Sequence, residues 1–189
     1  MKITSGKYKY RNIELPKGIR PTTGKVREAV LSMVGPWIDG AAVMDMFAGS
    51  GSLGLEALSR GAAHCYFCES SRANSKVLIS NIAECVAGDE STVYNSDYQA
   101  AITKLGGLGI KLDIVFMDPP YEEQSYYEKG MMMMQEEGLL DEGSLVVAEH
   151  LYDNKLSDSY GYLHRIKEKR YGSIGVDVYI YEKQVDEAQ

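Results

Sequence analysis

Apolar residues along the chain fall into two alternating rhythms. Short continuous runs at residues 41–47, 64–68, 92–95, 112–117 and 144–149 have the length of buried strands, and between them lie longer stretches with apolar positions at helical spacing. The spacing predicts helices from the glycine loop near residue 51 to about residue 60, then over 71–86, 98–105 and 124–137. Strands alternating with helices imply right-handed crossovers and a mostly parallel sheet. Before this alternation, residues 1–15 read as short extended segments and residues 16–18 as a turn. A helix follows over about 24–34, carrying Val26, Ala29, Val30 and Met33 at helical spacing, with Arg27 on a different side from Val30. After it, residues 163–171 alternate Arg165, Lys167 and Lys169 with Ile166, Glu168 and Arg170, and a glycine-containing loop leads to 176–181. These read as an antiparallel hairpin that closes the sheet. The expected fold class is α/β: a doubly wound, mostly parallel sheet in one domain over 1–189, with a basic N-terminal arm and helix at 1–35 and the core at 40–183. The methionines at 131–134 read as core filler, because an unbranched thioether adapts to irregular gaps.

Composition changes this picture in one respect. The 189 residues are 44% hydrophobic and 25% charged, which is ordinary for a globular chain. No apolar run approaches the ~20 residues of a membrane span, and no secretory h-region opens the chain, so no membrane association and a cytoplasmic location are expected. Three cysteines fit a reducing compartment. The formal net charge is −7, yet it is unevenly placed. Residues 1–27 hold Lys2, Lys7, Lys9, Arg11, Lys17, Arg20, Lys25 and Arg27 against Glu14 alone. Such an arm on an acidic body suits either phosphate binding or a solvated terminus.

The chemistry-bearing residues cluster where predicted strands end. Asp45, near the end of the first run, leads into Ala48, Gly49, Ser50 and Gly51, then Gly54 and a helix. In this spacing the first glycine allows the tight turn, the second a close approach to ligand and the third close helix packing. Glu69 ends the next strand, twenty residues after Gly49, where a carboxylate accepts both hydroxyls of a ribose. With Asp97 after the third strand and Asp118 after the fourth, four carboxylates are expected on one rim, and a nucleoside cofactor is expected there. Asp118, Pro119, Pro120 and Tyr121 form a turn with few conformations to lose, suited to a flat substrate. Thr22 or Thr23 caps the first helix. Cys65 and Cys68, three apart on a strand, face opposite sides, and with scattered histidines no metal is expected. There is no phosphate loop of the G-x-x-x-x-G-K-[ST] type.

Residues 45–51, with 53–62 following, closely resemble motif I of S-adenosylmethionine-dependent methyltransferases, and residues 118–121 resemble their amino-group-methylating motif. With residues 20–23 and 26–29 near the start and 169–172 near the end, the chain resembles the bacterial 16S rRNA guanine-N2-methyltransferase family. The resemblance implies a Rossmann-like class I fold and S-adenosyl-L-methionine as cofactor. It further implies methylation of an exocyclic N2 amine of 16S rRNA, within the 30S subunit or an assembly intermediate. Asp45, Ala48, Gly49, Gly51, Glu69 and Asp97 would bind the cofactor. Asp118 and the Pro119 carbonyl would accept the N–H bonds of the amine while Tyr121 stacks on the base. Arg20, Thr22, Thr23 and Arg27 would contact RNA phosphate or help close the site, with Lys7, Lys9 and Arg11 adding attraction. An adenine-N6 methyltransferase uses the same proline turn, and a noncatalytic nucleoside- or RNA-binding module keeps the same fold; both stand as alternatives.

Overall fold

The computed structural model describes residues 1–18, 22–120 and 123–183. Five helices, α1 (Gly24–Ile38), α2 (Ser52–Ser59), α3 (Arg72–Glu84), α4 (Tyr98–Gly107) and α5 (Ser125–Glu136), surround one sheet. Its strands are β1 (Ala42–Asp45), β2 (His64–Cys68), β3 (Ser91–Tyr94), β4 (Leu112–Met117), β5 (Leu140–Leu151), β6 (Ser159–Tyr160), β7 (Leu163–Tyr171) and β8 (Ile174–Tyr181). They lie in the order β3-β2-β1-β4-β5-β8-β7-β6. β1 to β5 pair in parallel, and β8, β7 and β6 add on antiparallel.

The central strands are apolar on both faces because both are covered. On one face Val43, Ile114, Phe116 and Val147 pack with α1, α2 and α3; on the other Met44, Val115, Met117 and Val146 pack with α4 and α5. Met131 and Met134 fill the second core. Cys65 belongs to the first core and Cys68 to the second, as their spacing requires. The chain passes from β1 outward to β2 and β3, then returns to place β4 on the other side of β1. This reversal opens a crevice at the carboxyl ends of β1 and β4.

Several boundaries differ from the sequence pattern. α1 runs past Val34 through Pro36 to Ile38: a late proline removes one ladder bond, and burial of Ile38 offsets it. Gly106 and Gly107 are helical rather than a turn. β5 is longer than 144–149 at both ends, and β6 adds a two-residue strand that the pattern does not signal. In β7 the register shifts between Arg165 and Lys167, which pair with Tyr179 and Val178. One extra residue there breaks the alternation, so Arg165 and Lys167 lie on opposite faces. Arg165 thereby reaches Asp177, its Nε 3.0 Å from the carboxylate, and Asp177 meets His150 Nε2 at 3.1 Å.

The N-terminal segment packs against the body. Ile3 and Ile13 join the first core, and Lys2 bridges Asn12. Gly6, at φ +85°, crosses so close to α2 that a Cβ would lie 1.9 Å from the Ser59 carbonyl oxygen. Fully buried Glu56 accepts from the Thr4 backbone N–H at 2.7 Å, the Thr4 hydroxyl at 3.0 Å and Arg60 Nε at 3.3 Å. Arg27 completes this clasp. Its Nε is 3.9 Å from Glu56, and its Nη2 donates to the Lys2 carbonyl at 2.9 Å.

Candidate functional site

At the crevice lies a cavity of about 520 Å³ whose lining includes Asp45, Glu69, Asp97, Asp118, Pro119 and Pro120. The four strand-end carboxylates of the sequence therefore face one space. Each is held differently. Asp45 is buried and accepts from the Gly54 N–H at 3.1 Å. Burial pushes its pKa up to about 7; the Gly54 bond opposes that, while Asp118 and Glu69 add to it. Glu69 is fixed by two backbone donors, Gly49 N–H at 3.0 Å and Ser71 N–H at 2.8 Å. Asp97 caps α4 through the Ala100 N–H at 2.7 Å.

Asp118, just past the end of β4, is half-buried, and its desolvation raises its pKa to about 6 against the opposing effects of Thr22 and Glu149. The Thr22 hydroxyl lies 3.1 Å from the Asp118 carboxylate and 3.3 Å from that of Glu149. Glu149 was not among the sequence candidates. The signal for it exists in the pattern, since a carboxylate stops the apolar run at 144–149 as Asp118 stops the preceding run. A second omission is aromatic. Phe47, Tyr98 and Tyr126 line the cavity; Phe47 and Tyr126 are parallel within 5° at 5.8 Å, and Tyr98 lies 5.3 Å from Phe47.

The glycine loop divides its work otherwise than its spacing suggests. Ala48 and Gly49 line the cavity together with Ser50 and Ser52. Gly51, at φ +84°, is the N-cap of α2, and a Cβ there would strike Leu78 at 2.4 Å. Its role is therefore turning and packing, not close approach to a ligand. Gly54 does fit close packing, since its Cβ would lie 2.3 Å from the ring of Phe67.

The proposed RNA contacts separate. Thr22 is at the cavity, whereas the Thr23 hydroxyl caps α1 by accepting from the Val26 N–H at 3.3 Å. Arg27 is 3% exposed and lies on the same buried side as Val30, so it is turned into the Glu56 clasp and presents no charge to a phosphate. Lys7 pairs with Glu90, which precedes β3, and its backbone N–H donates to Ser59 at the end of α2. Arg11 donates to the Glu84 carbonyl at the end of α3, and the Lys9 ammonium sits 5.0 Å from the Tyr10 ring centroid. Lys7 and Arg11 thus lie on the opposite rim of the sheet, roughly 15 Å away by strand rise. Arg20 and Tyr121 fall outside the described residues. Among the described residues, no group of three or more His, Cys, Asp or Glu is placed to hold a metal ion, and no helix is long and apolar enough to cross a membrane.

Comparison with known proteins gives a consistent pattern. The family model described as conserved hypothetical protein 95 matches residues 1–180. The ribosomal RNA small subunit methyltransferase D of Escherichia coli K12 is 36% identical, covering 97% of this chain and 91% of that protein. The protein of the same name from Haemophilus influenzae is 28% identical, covering 95% and 93%. Among solved structures, the Escherichia coli protein yhhF superposes with a TM-score of 0.86 at 35% identity, covering 97% of this chain and 99% of that one. An RNA methyltransferase from Salinibacter ruber, solved with S-adenosyl-L-homocysteine, shares the fold at a TM-score of 0.64 and 16% identity, covering 89% and 97%.

Proposed function

The chain belongs to the conserved hypothetical protein 95 family, and from that premise we propose that it is an S-adenosylmethionine-dependent rRNA methyltransferase acting on the exocyclic N2 amine of a guanine in the small subunit. The observation that carries this reading is the convergence of Asp45, Glu69, Asp97 and the Asp118-Pro119-Pro120 turn on one cavity at the sheet's switch point. The names of its relatives point the same way.

The donor set fits the cofactor. Glu69, pinned by two N–H groups, suits the ribose hydroxyls, and Asp97 the adenine amino group. Asp45 suits an ammonium, and the N-terminus of α2, with Ser50 and Ser52 on the cavity wall, suits a carboxylate. Phe47 and Tyr126, with parallel rings, and Tyr98, tilted 44° to Phe47 and 49° to Tyr126, give an aromatic wall. When bound, S-adenosylmethionine supplies an electrophilic methyl group next to the proline turn.

A guanine amine is a poor nucleophile because its lone pair is delocalised into the ring. Asp118 and the Pro119 carbonyl accept its two N–H bonds, drawing the nitrogen toward a pyramidal, nucleophilic geometry. The rigid turn holds both acceptors before substrate arrives, so catalysis rests on positioning and on charge neutralised during transfer. Thr22 and Glu149 hold Asp118 in place. A paired base must first leave its stack. The substrate is rRNA within the small subunit or an assembly intermediate, and the activity is cytoplasmic.

Titration of S-adenosylmethionine into Glu69→Ala and Asp118→Ala variants tests the division of labour. Glu69→Ala should weaken cofactor binding at least tenfold, and Asp118→Ala should leave it within about twofold. Equal affinity in the wild type and in Glu69→Ala would remove Glu69 from the cofactor site.

A further inference from the structure

Lys7 and Arg11 lie on the far rim and Arg27 in the interior, while the C-terminal hairpin brings further cations to the site's own rim. β6 pairs with Leu163 and His164, and the Arg165 N–H donates to the Asp158 carbonyl; beyond Arg165, β7 is an open sheet edge among the described residues. That edge carries exposed Lys167, Lys169 and Arg170 in its half nearest the cavity. Glu149, Val176 and Lys169 are successive register partners across β5, β8 and β7 and so share a face. Two strand spacings put the Lys169 Cα about 10 Å from that of Glu149, and a third spacing puts it about 14 Å from Asp118.

Arg170 is in register with Gly175 and His150 and so turns to the opposite face of the same edge strand, where a second basic cluster is organised. Tyr152, just past the end of β5, holds the Lys155 ammonium 3.3 Å and the Arg170 guanidinium 4.1 Å from its ring centroid. Glu168 meets Lys155 at 2.9 Å. Lysine on an open edge also blocks strand pairing with other molecules. That explanation covers Lys167 and Lys169. It does not account for Lys155, which comes from a loop, nor for a tyrosine that pins it beside Arg170. Lys17 precedes Gly18 and Lys25 follows Thr22 by three residues; both lysines are exposed, and Gly18 and Thr22 line the cavity.

We propose that the rim half of β7, with Tyr152 and Lys155, is the RNA-docking surface: Lys167, Lys169 and Arg170 hold the phosphates of the strand that flanks the methylated nucleotide. This rests on the rRNA methyltransferase reading above. Phosphate contacts supply affinity and register without reading sequence, which is what a site that itself recognises only one base requires.

The test is the triple variant Lys167→Glu, Lys169→Glu, Arg170→Glu, assayed for cofactor affinity and for methyl transfer to naked small-subunit rRNA and to assembled particles at several salt concentrations. Lys104→Glu on α4 serves as the control for a surface charge change. The expected result is unchanged cofactor affinity, a KM for both RNA substrates raised at least tenfold, and a shallower dependence of log KM on log salt. The slope falls by about 2, at ~0.7 per lost single-strand phosphate contact. An unchanged KM and salt slope overturn the proposal, and a KM raised for particles but not for naked rRNA overturns it in favour of a protein partner on this face. Should the triple variant lose cofactor binding, single Lys167→Gln and Lys169→Gln variants carry the same measurement, with a KM raised by less and the same reading of no change. Absence of rRNA methylation by the wild type would be a failure of the function proposal, visible before any variant is made.

Discussion

Asp118 and Asp45 face the same cavity, yet they answer different questions. If Asp118 accepts a proton of the amine, Asp118→Asn should lower turnover by roughly 10²- to 10⁴-fold, the usual scale for a positioned acid or base, with cofactor affinity retained; single-turnover methyl transfer measures it. Asp45 is tested by pH. Its folded pKa of about 7 stands above the ordinary value of 3.8, so it contributes stability that is fully present below about pH 4 and lost as pH rises through 7. Ligand-free protein should therefore melt higher at pH 5 than at pH 8 through this group, and Asp45→Asn should flatten that difference. Cofactor affinity should run the other way, strengthening as pH rises through 7 and Asp45 becomes a carboxylate able to pair with an ammonium. At this scale the sequence was informative where a carboxylate stops an apolar run, as at Glu69 and Asp118. It misplaced Arg27 as an RNA contact, because a charged residue in a helical stretch says nothing of a buried partner 29 positions away, Glu56.

Elements were most legible where one face period dominates. β2 and β4 lie where their apolar runs predicted, with β2 fully buried on one face and partly on the other and β4 buried over residues 114–117. Of the glycines, Gly54 packs against Phe67 as its spacing indicates, whereas Gly51 packs against Leu78, which its spacing does not indicate. Gly54→Ala should overpack the α2–β2 contact and cost about 1–3 kcal/mol, with a fall in Tm of about 2–4 °C per kcal/mol. The clasp between α1, α2 and the N-terminal segment should behave as a buried ion pair. Arg27→Ala leaves Glu56 with one partner fewer and should cost about 3–5 kcal/mol, read by denaturant unfolding. A loss of RNA affinity with unchanged stability would contradict this structural role. A third pairing joins β5, β7 and β8. Burial alone would lower the pKa of His150, but its bonds to Asp177 and to backbone carbonyls outweigh that and raise it. Protonated His150 therefore stabilises the sheet at pH below its ordinary 6.5, and this contribution fades as pH rises through the folded pKa. His150→Gln should abolish that part of the pH dependence in thermal melts. The bulge at Ile166, which brings Arg165 to the same carboxylate, was not legible, because an extra residue leaves no mark in an already polar alternation.

For the whole molecule, the sequence placed the sheet, its parallel sense and the carboxylate rim, all of which follow from local patterns and the handedness of crossovers. It did not show how the N-terminal segment runs, because Lys7 and Glu90 are 83 positions apart and only the folded chain brings them together. Of the charge cluster read as an arm for the substrate, Lys7 and Arg11 pack on the far rim and Arg27 in the interior, and the C-terminal hairpin carries further exposed cations on the site's side of the sheet. Ile3 and Ile13 share a core with Val43 and Phe116, and we propose that the segment and the sheet unfold together in one transition. The central claim remains the chemistry at Asp118. Small ribosomal subunits from cells lacking the corresponding modification should be incubated with the protein and labelled S-adenosylmethionine, and their RNA digested to nucleosides and identified by mass. The account predicts label in N2-methylguanosine from 16S rRNA, lost in Asp118→Asn; label in N6-methyladenosine alone, or none in rRNA, would contradict it.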